Sequence, residues 1–204
     1  MITRNYPLPP VLAVVALAFA GGTAAAADSL PRNAEAVASY DIRVRLDHEH
    51  KRLIGEERLV WRNPSSDTVD ELWFHLYLNA FRNSESTFYR ESGGRPSRGR
   101  IGDDAWGGID ITSIRLADGT DLAGAMSFEH PDDDNADDRT VLRVRLPQPV
   151  APGMSVTLDV DFEARIPGAL VRTGYVRDYF LVGQWFPKLG VYEPAGRRGR
   201  VEGG

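Results

Sequence analysis

The sequence predicts an all-β protein, an antiparallel saddle-like β-sandwich. Apolar and polar residues alternate with a period of two in window after window. Clusters of Asn, Pro, Gly and Ser separate those windows, and beyond the N-terminal segment no window carries an apolar stripe at helical spacing.

The elements follow in order. Ile42, Val44 and Leu46 alternate with Arg43 and Arg45, which places one face on a core and the other in water. A strand is expected over Leu53 to Arg62, closed by the turn Asn63-Pro64-Ser65-Ser66. Leu72, Phe74, Leu76 and Leu78 alternate with Trp73, His75, Tyr77 and Asn79, and the aromatic members of the second set predict a strand covered on both faces. Asn83 to Gly108, rich in Ser, Gly and Arg, reads as a long loop. Ile109 to Leu116 is a strand ended by Asp118-Gly119. Leu142, Val144 and Leu146 form the next, followed by a turn over Pro147 to Gly153. Val156, Leu158, Val160 and Phe162, interleaved with Thr157, Asp159, Asp161 and Glu163, make the clearest half-buried strand. Pro167-Gly168 turns the chain toward a last strand at Tyr179 to Val182.

With 42% hydrophobic and 26% charged residues among 204, the composition is that of a globular protein and argues against wholesale disorder and against a bundle of membrane spans. A formal charge of −5 argues against nucleic acid as a partner, because phosphate binding needs a broad positive field. The first 27 residues read as a secretory signal peptide: Arg4, then the apolar run Val11 to Ala20, then small residues offering Ala25-Ala26-Ala27 for cleavage before Asp28. That run is too short for a stable membrane anchor. Export to a periplasm or the medium is the expected fate. No cysteine is present, so neither a lipoprotein anchor nor a disulfide can form. Residues 28–193 are expected to be one β domain, and 194–204, rich in Gly and Arg, a disordered tail or the start of a linker.

Candidate chemistry is sparse. The acidic turn Asp132, Asp133, Asp134, Asp137, Asp138 fits the EF-hand pattern in neither register and reads as a solvated hairpin tip, with calcium as the alternative. His48 and His50, two apart, would point the same way on an extended strand and share a metal, but no third ligand lies nearby. His75 and His130 are isolated, and no H-E-x-x-H occurs. The serines of Ser84 to Ser97 have no identifiable base and no G-x-S-x-G elbow. The glycines at 93, 94, 99 and 102 lack the lysine and hydroxyl of a phosphate loop. Catalytic and metal-binding residues are therefore expected to be absent from the 204 residues. Two suitably spaced carboxylates for glycoside hydrolysis can be neither supported nor dismissed among 29 acidic residues.

One stretch is more informative. Tyr175 to Glu193 contains Gly183-Gln184-Trp185-Phe186-Pro187-Lys188. Together with Y-D-I-R-V-R-L-D from Tyr40, R-L-I-G-E-E from Arg52, W-R-N at Trp61 and L-P-Q-P-V-A-P-G from Leu146, it resembles the N-terminal domain of the family M1 zinc metallopeptidases, the aminopeptidase N and leukotriene A hydrolase type. The likeness is greatest to bacterial exported members and spans about residues 38 to 193.

The resemblance implies a saddle-like β module packed on a thermolysin-like catalytic domain, supplied downstream or in trans. That domain would bring the zinc through H-E-x-x-H and a later glutamate; no cofactor is expected in this chain. The family's first domain lends a glutamine to the wall of the peptide cleft, and Gln184 is the residue that resembles it. Many members follow that glutamine with small or acidic residues, whereas Trp185, Phe186 and Pro187 follow here. A strand-end amide satisfying backbone groups is the other reading of Gln184, and Trp185 and Phe186 read as packing residues. The expected function is that of a substrate-cleft domain inactive alone, a first domain cut off from its catalytic partner. A freestanding exported sandwich that binds protein or glycan is the alternative.

Overall fold

The computed structural model describes residues 37–94, 105–131, 133–168 and 172–192. The expected signal segment and its cleavage point, and the tail from 194, lie outside the described residues. Ten strands are described: β1 (Ala38–Asp47), β2 (Arg52–Arg62), β3 (Val69–His75), β4 (Gly108–Leu116), β5 (Met126–Glu129), β6 (Val141–Val150), β7 (Ser155–Arg165), β8 (Gly174–Val176), β9 (Tyr179–Leu181) and β10 (Lys188–Leu189). A short helix, α1 (Thr87–Glu91), and two 3-10 turns, Tyr77–Phe81 and Ala123–Ala125, complete the description. Among the described residues no helix is long and apolar enough to cross a membrane.

The alternation builds two four-stranded sheets, ordered β1-β2-β7-β4 and β10-β3-β6-β5, and a small hairpin β8-β9, with every pairing among the described strands antiparallel. The fold is all-β. Leu53, Leu59 and Trp61 of β2, Ile114 of β4 and Leu158, Val160 and Phe162 of β7 share one core with Leu72 and Phe74 of β3 and Leu142 and Val144 of β6. Burying a side chain of this size stabilises by roughly 1.5–3 kcal/mol, so this shared interior is the main source of stability. In β4 the register shifts between Ile111 and Ser113, and the extra residue returns Ile114 and Leu116 to the inward side already held by Ile109 and Ile111.

Two boundaries and one strand face differ from the sequence expectation. The strand expected to reach Asn79 ends at His75, where the β6 ladder ends at Val141, and the chain enters the 3-10 turn. Nor is that strand's second face covered: Trp73 is exposed, its indole N–H donates to Glu71 Oε1 at 2.8 Å, and the Arg143 guanidinium lies 6.0 Å from its ring. Pro147 and Pro149, expected in a turn, lie within β6 where its pairing with β3 is irregular between Val69 and Glu71, so their missing N–H groups interrupt no regular ladder. Asn63 closes the neighbouring turn from a buried position. Its side chain donates to Asp67 O and Val150 O at 2.7 and 2.9 Å and accepts from the Ser65 N–H and hydroxyl at 3.0 and 2.7 Å.

Two inward positions on β2 are unusual. Gly55 pairs with Phe162, and a Cβ there would fall 2.2 Å from that ring, so the aromatic occupies the space a side chain would take. Glu57 pairs with Ile42 and Val160 and is 2% exposed, and neither carboxyl oxygen has a hydrogen-bond partner among the described residues. Loss of hydration disfavours its charged form and pushes the carboxyl from 4.5 up to about 8.

That burial makes stability depend on pH. Below the unfolded value both states hold the proton, whereas between it and about 8 only the folded state does, so stability falls as pH rises through this window and levels off above it. Chemical denaturation is expected to show a loss on the order of 3 kcal/mol between pH values of about 5 and 8, at roughly 1.4 kcal/mol per unit. Glu57→Gln should flatten the profile; an unchanged slope in that variant contradicts the assignment.

Candidate functional site

An apolar cleft of about 340 Å³ lies between the segment after β3 and the segment around the β8-β9 hairpin. Tyr77, Leu78, Ala80, Phe81 and Phe88 line one side and Arg172, Thr173, Gly183 and Gln184 the other.

The first wall is held by polar groups. Asn79, 1% exposed, donates from its amide to Arg139 O at 2.8 Å, and its carbonyl accepts from the Ile109 N–H at 2.9 Å and from Arg82 at 3.2 Å. Arg82 also pairs with Asp110 at 2.8 Å, tying the 3-10 turn to β4. Ser86 is the N-cap of α1: its hydroxyl accepts from the Tyr89 N–H at 3.3 Å and donates to Ala80 O at 2.6 Å. Phe88 then meets Phe81 edge to face at 5.3 Å. On the far side of α1, Tyr89 packs against Trp106 at 5.1 Å.

The acidic turn supports this wall through Asp138 and Asn135, which are buried, while Asp133, Asp134 and Asp137 are exposed, as expected of a tip between β5 and β6. Asp138, 8% exposed, accepts from the Thr87 N–H at 3.1 Å, at the first residue of α1, and from the amide and hydroxyl of Thr140. Asp133 accepts from the Thr87 hydroxyl at 2.6 Å, which holds its carboxyl below the usual range. Asn135, also buried, donates to Glu85 O at 2.8 Å and accepts from Arg90 at 3.2 Å. These side chains therefore serve as caps and clasps for a helix too short to stabilise itself. Asp132 lies outside the described residues.

The second wall comes from the hairpin. Lys51 donates to Arg177 O at 3.3 Å, and its ammonium lies 5.2 Å from the Tyr175 ring and 4.9 Å from the Phe180 ring. Beyond β9, a Cβ on Gly183 would fall 2.7 Å from Arg172 O, so only glycine permits that approach. Gln184 follows with φ of 53°, a left-handed conformation rare for a residue with a side chain. Its side chain is exposed and makes no hydrogen bond to a described residue. Trp185 and Phe186 do pack inward: Trp185 is 6.1 Å from Phe162, and Phe186 is 5.5 Å from Tyr40, whose hydroxyl accepts from the Leu189 N–H at 3.1 Å.

The other candidates are not brought together. His48 and His50 lie in the β1–β2 turn rather than on a strand. His50 donates from its backbone to Asp47 at 3.1 Å and its Nδ1 lies 2.9 Å from the same carboxylate; these bonds lower the Asp47 carboxyl to about 2. His75 stacks on Tyr77 at 5.1 Å. Among the described residues no three His, Asp or Glu side chains converge on a point that could hold a metal, so the donors do not fit zinc. Ser84, Ser86 and Ser92 bond Glu85, Ala80 and Tyr89, all as local structural links. Ser97 and the glycines at 99 and 102 lie outside the described residues.

No family model matches the chain, and no curated protein matches it.

The strain at Gln184 is directly measurable. Gln184→Gly removes the steric cost of the left-handed backbone and Gln184→Ala keeps it, so the glycine variant is expected to be the more stable of the two by about 1 kcal/mol in urea unfolding. Equal stability, or a more stable alanine variant, would show that the backbone there is relaxed.

Proposed function

We propose that this polypeptide is the substrate-cleft domain of an exported M1-type zinc aminopeptidase, contributing one wall of the peptide site and depending on a separate catalytic domain for the metal. The observation that carries this reading is Gln184: it follows the hairpin in the G-Q-W-F-P-K segment, lines an aromatic cleft, and makes no side-chain hydrogen bond to a described residue. A carboxamide offers one acceptor and two donors, which suits it to orient a peptide amine or carbonyl. It exchanges no proton near neutral pH, so it acts as neither base nor nucleophile. The constrained backbone at Gly183 and Gln184 and the inward packing of Trp185 and Phe186 fix where the Gln184 side chain leaves the main chain, which favours a positioning role. Zinc, bound by the catalytic domain, would supply the activated water.

The experiment is hydrolysis of aminoacyl anilides by the purified chain, alone and with an M1 catalytic domain whose own first domain has been removed. The chain alone is expected to be inactive with or without zinc, and the mixture active. Gln184→Ala should lower kcat/KM of the mixture about tenfold, the effect of losing one hydrogen bond to a charged amine. Zinc-dependent turnover by the chain alone, or a mixture no more active than the catalytic domain by itself, contradicts the proposal.

A further inference from the structure

Among the described residues that line the cleft beside Gln184, one is charged, Arg172. It is exposed and, like several other exposed arginines such as Arg45, Arg115 and Arg177, makes no ion pair with a described residue; what sets it apart is its place on the cleft wall beside Gln184. Its position is fixed by the backbone. Gly174 pairs with Leu181, the Thr173 hydroxyl donates to Leu181 O at 3.2 Å, and Arg172 O lies against Gly183. Arg172 and Gln184 are therefore held side by side at one end of a cleft whose other wall is Tyr77, Leu78, Phe81 and Phe88.

Charge and shape together select a ligand. An apolar side chain gains from the aromatic wall, where each buried methylene is worth about 0.8 kcal/mol. A guanidinium with no acidic partner among the described residues favours a carboxylate, which it can hold through two parallel N–H bonds. The other described lining residues bring no negative charge to oppose it. We infer that Arg172 is a specificity-determining residue, making the cleft selective for short peptides that present a carboxylate next to an apolar residue. This inference rests on the reading of the same cleft as a peptide site. The carboxylate can belong to an acidic side chain or to the peptide's C-terminus.

Three dipeptides separate the sources: leucyl-glutamine amide, which is neutral beyond its amine; leucyl-glutamate amide, with a side-chain carboxylate; and leucyl-glutamine, with a terminal one. Each is titrated into the full chain at low salt and millimolar concentration, following the side-chain NMR signals of Gln184 and Arg172. At least one carboxylate peptide is expected to bind about fivefold more tightly than the neutral one, the scale of a partly exposed ion pair. Arg172→Gln should abolish that difference and Arg172→Lys should retain part of it, whereas Gln184→Ala should weaken all three peptides alike. Equal affinity for the three, a preference that survives Arg172→Gln, or no shift with any peptide overturns the inference. Those results would leave the catalytic-domain mixture active, so they are distinguishable from failure of the proposed function itself.

Discussion

Asn79 and Asp138 hold in place a length of chain that has little apolar surface of its own to bury. Between His75 and Gly94 the chain leaves the sheet, forms one 3-10 turn and one five-residue helix, and buries Leu76, Leu78, Phe81 and Tyr89 as its few apolar contacts. A helix of that length does not persist in water by propensity. Its position is set by buried acceptors and donors that come from distant parts of the sequence: Asn79 reaches Arg139 and Ile109, and Asp138 reaches Thr87. Each of these groups is expensive to leave unpaired in the interior, so the network is either complete or the wall moves as a unit. Phe81 and Phe88 stand on that wall and define the cleft that Gln184 faces.

The sandwich beneath is stabilised differently, by dispersion and burial between two sheets with few polar intruders. Glu57 is the conspicuous one, and its cost is avoided at low pH by keeping the proton. Across the sheet, Phe162 fills the space above Gly55 and supports Trp185, so the β2–β7 pairing also fixes where the chain passes after Gln184. The rigid interior thus meets the cleft along the Gln184 to Leu189 segment.

The architecture was legible because period-two patterning is a local property. Val156 to Glu163 announces its inward face without reference to any partner, and β7 keeps that face throughout. Glu57 could have been found the same way, since it shares the parity of Leu53, Leu59 and Trp61. The wall of the cleft was not legible. An aspartate that caps a helix 51 residues away has the same local sequence as one facing water, and only the partner's position distinguishes them. The end of β3 at His75 is of this kind too, because Leu76 and Leu78 continue the alternation and are buried although the ladder has ended. A family likeness singles out Gln184; its left-handed backbone emerges only in three dimensions.

Native-state hydrogen exchange at two amides tests the polar-clasp account most directly. The Thr87 N–H, bonded to the Asp138 carboxylate, and the Ile109 N–H, bonded to the Asn79 carbonyl, lie at the two ends of the network. Both are expected to be protected and to lose protection together in Asp138→Ala, because the wall opens as one unit. Exchange of Thr87 at the rate of an unstructured peptide in the unmodified protein, or undiminished protection of Ile109 in the variant, would contradict it.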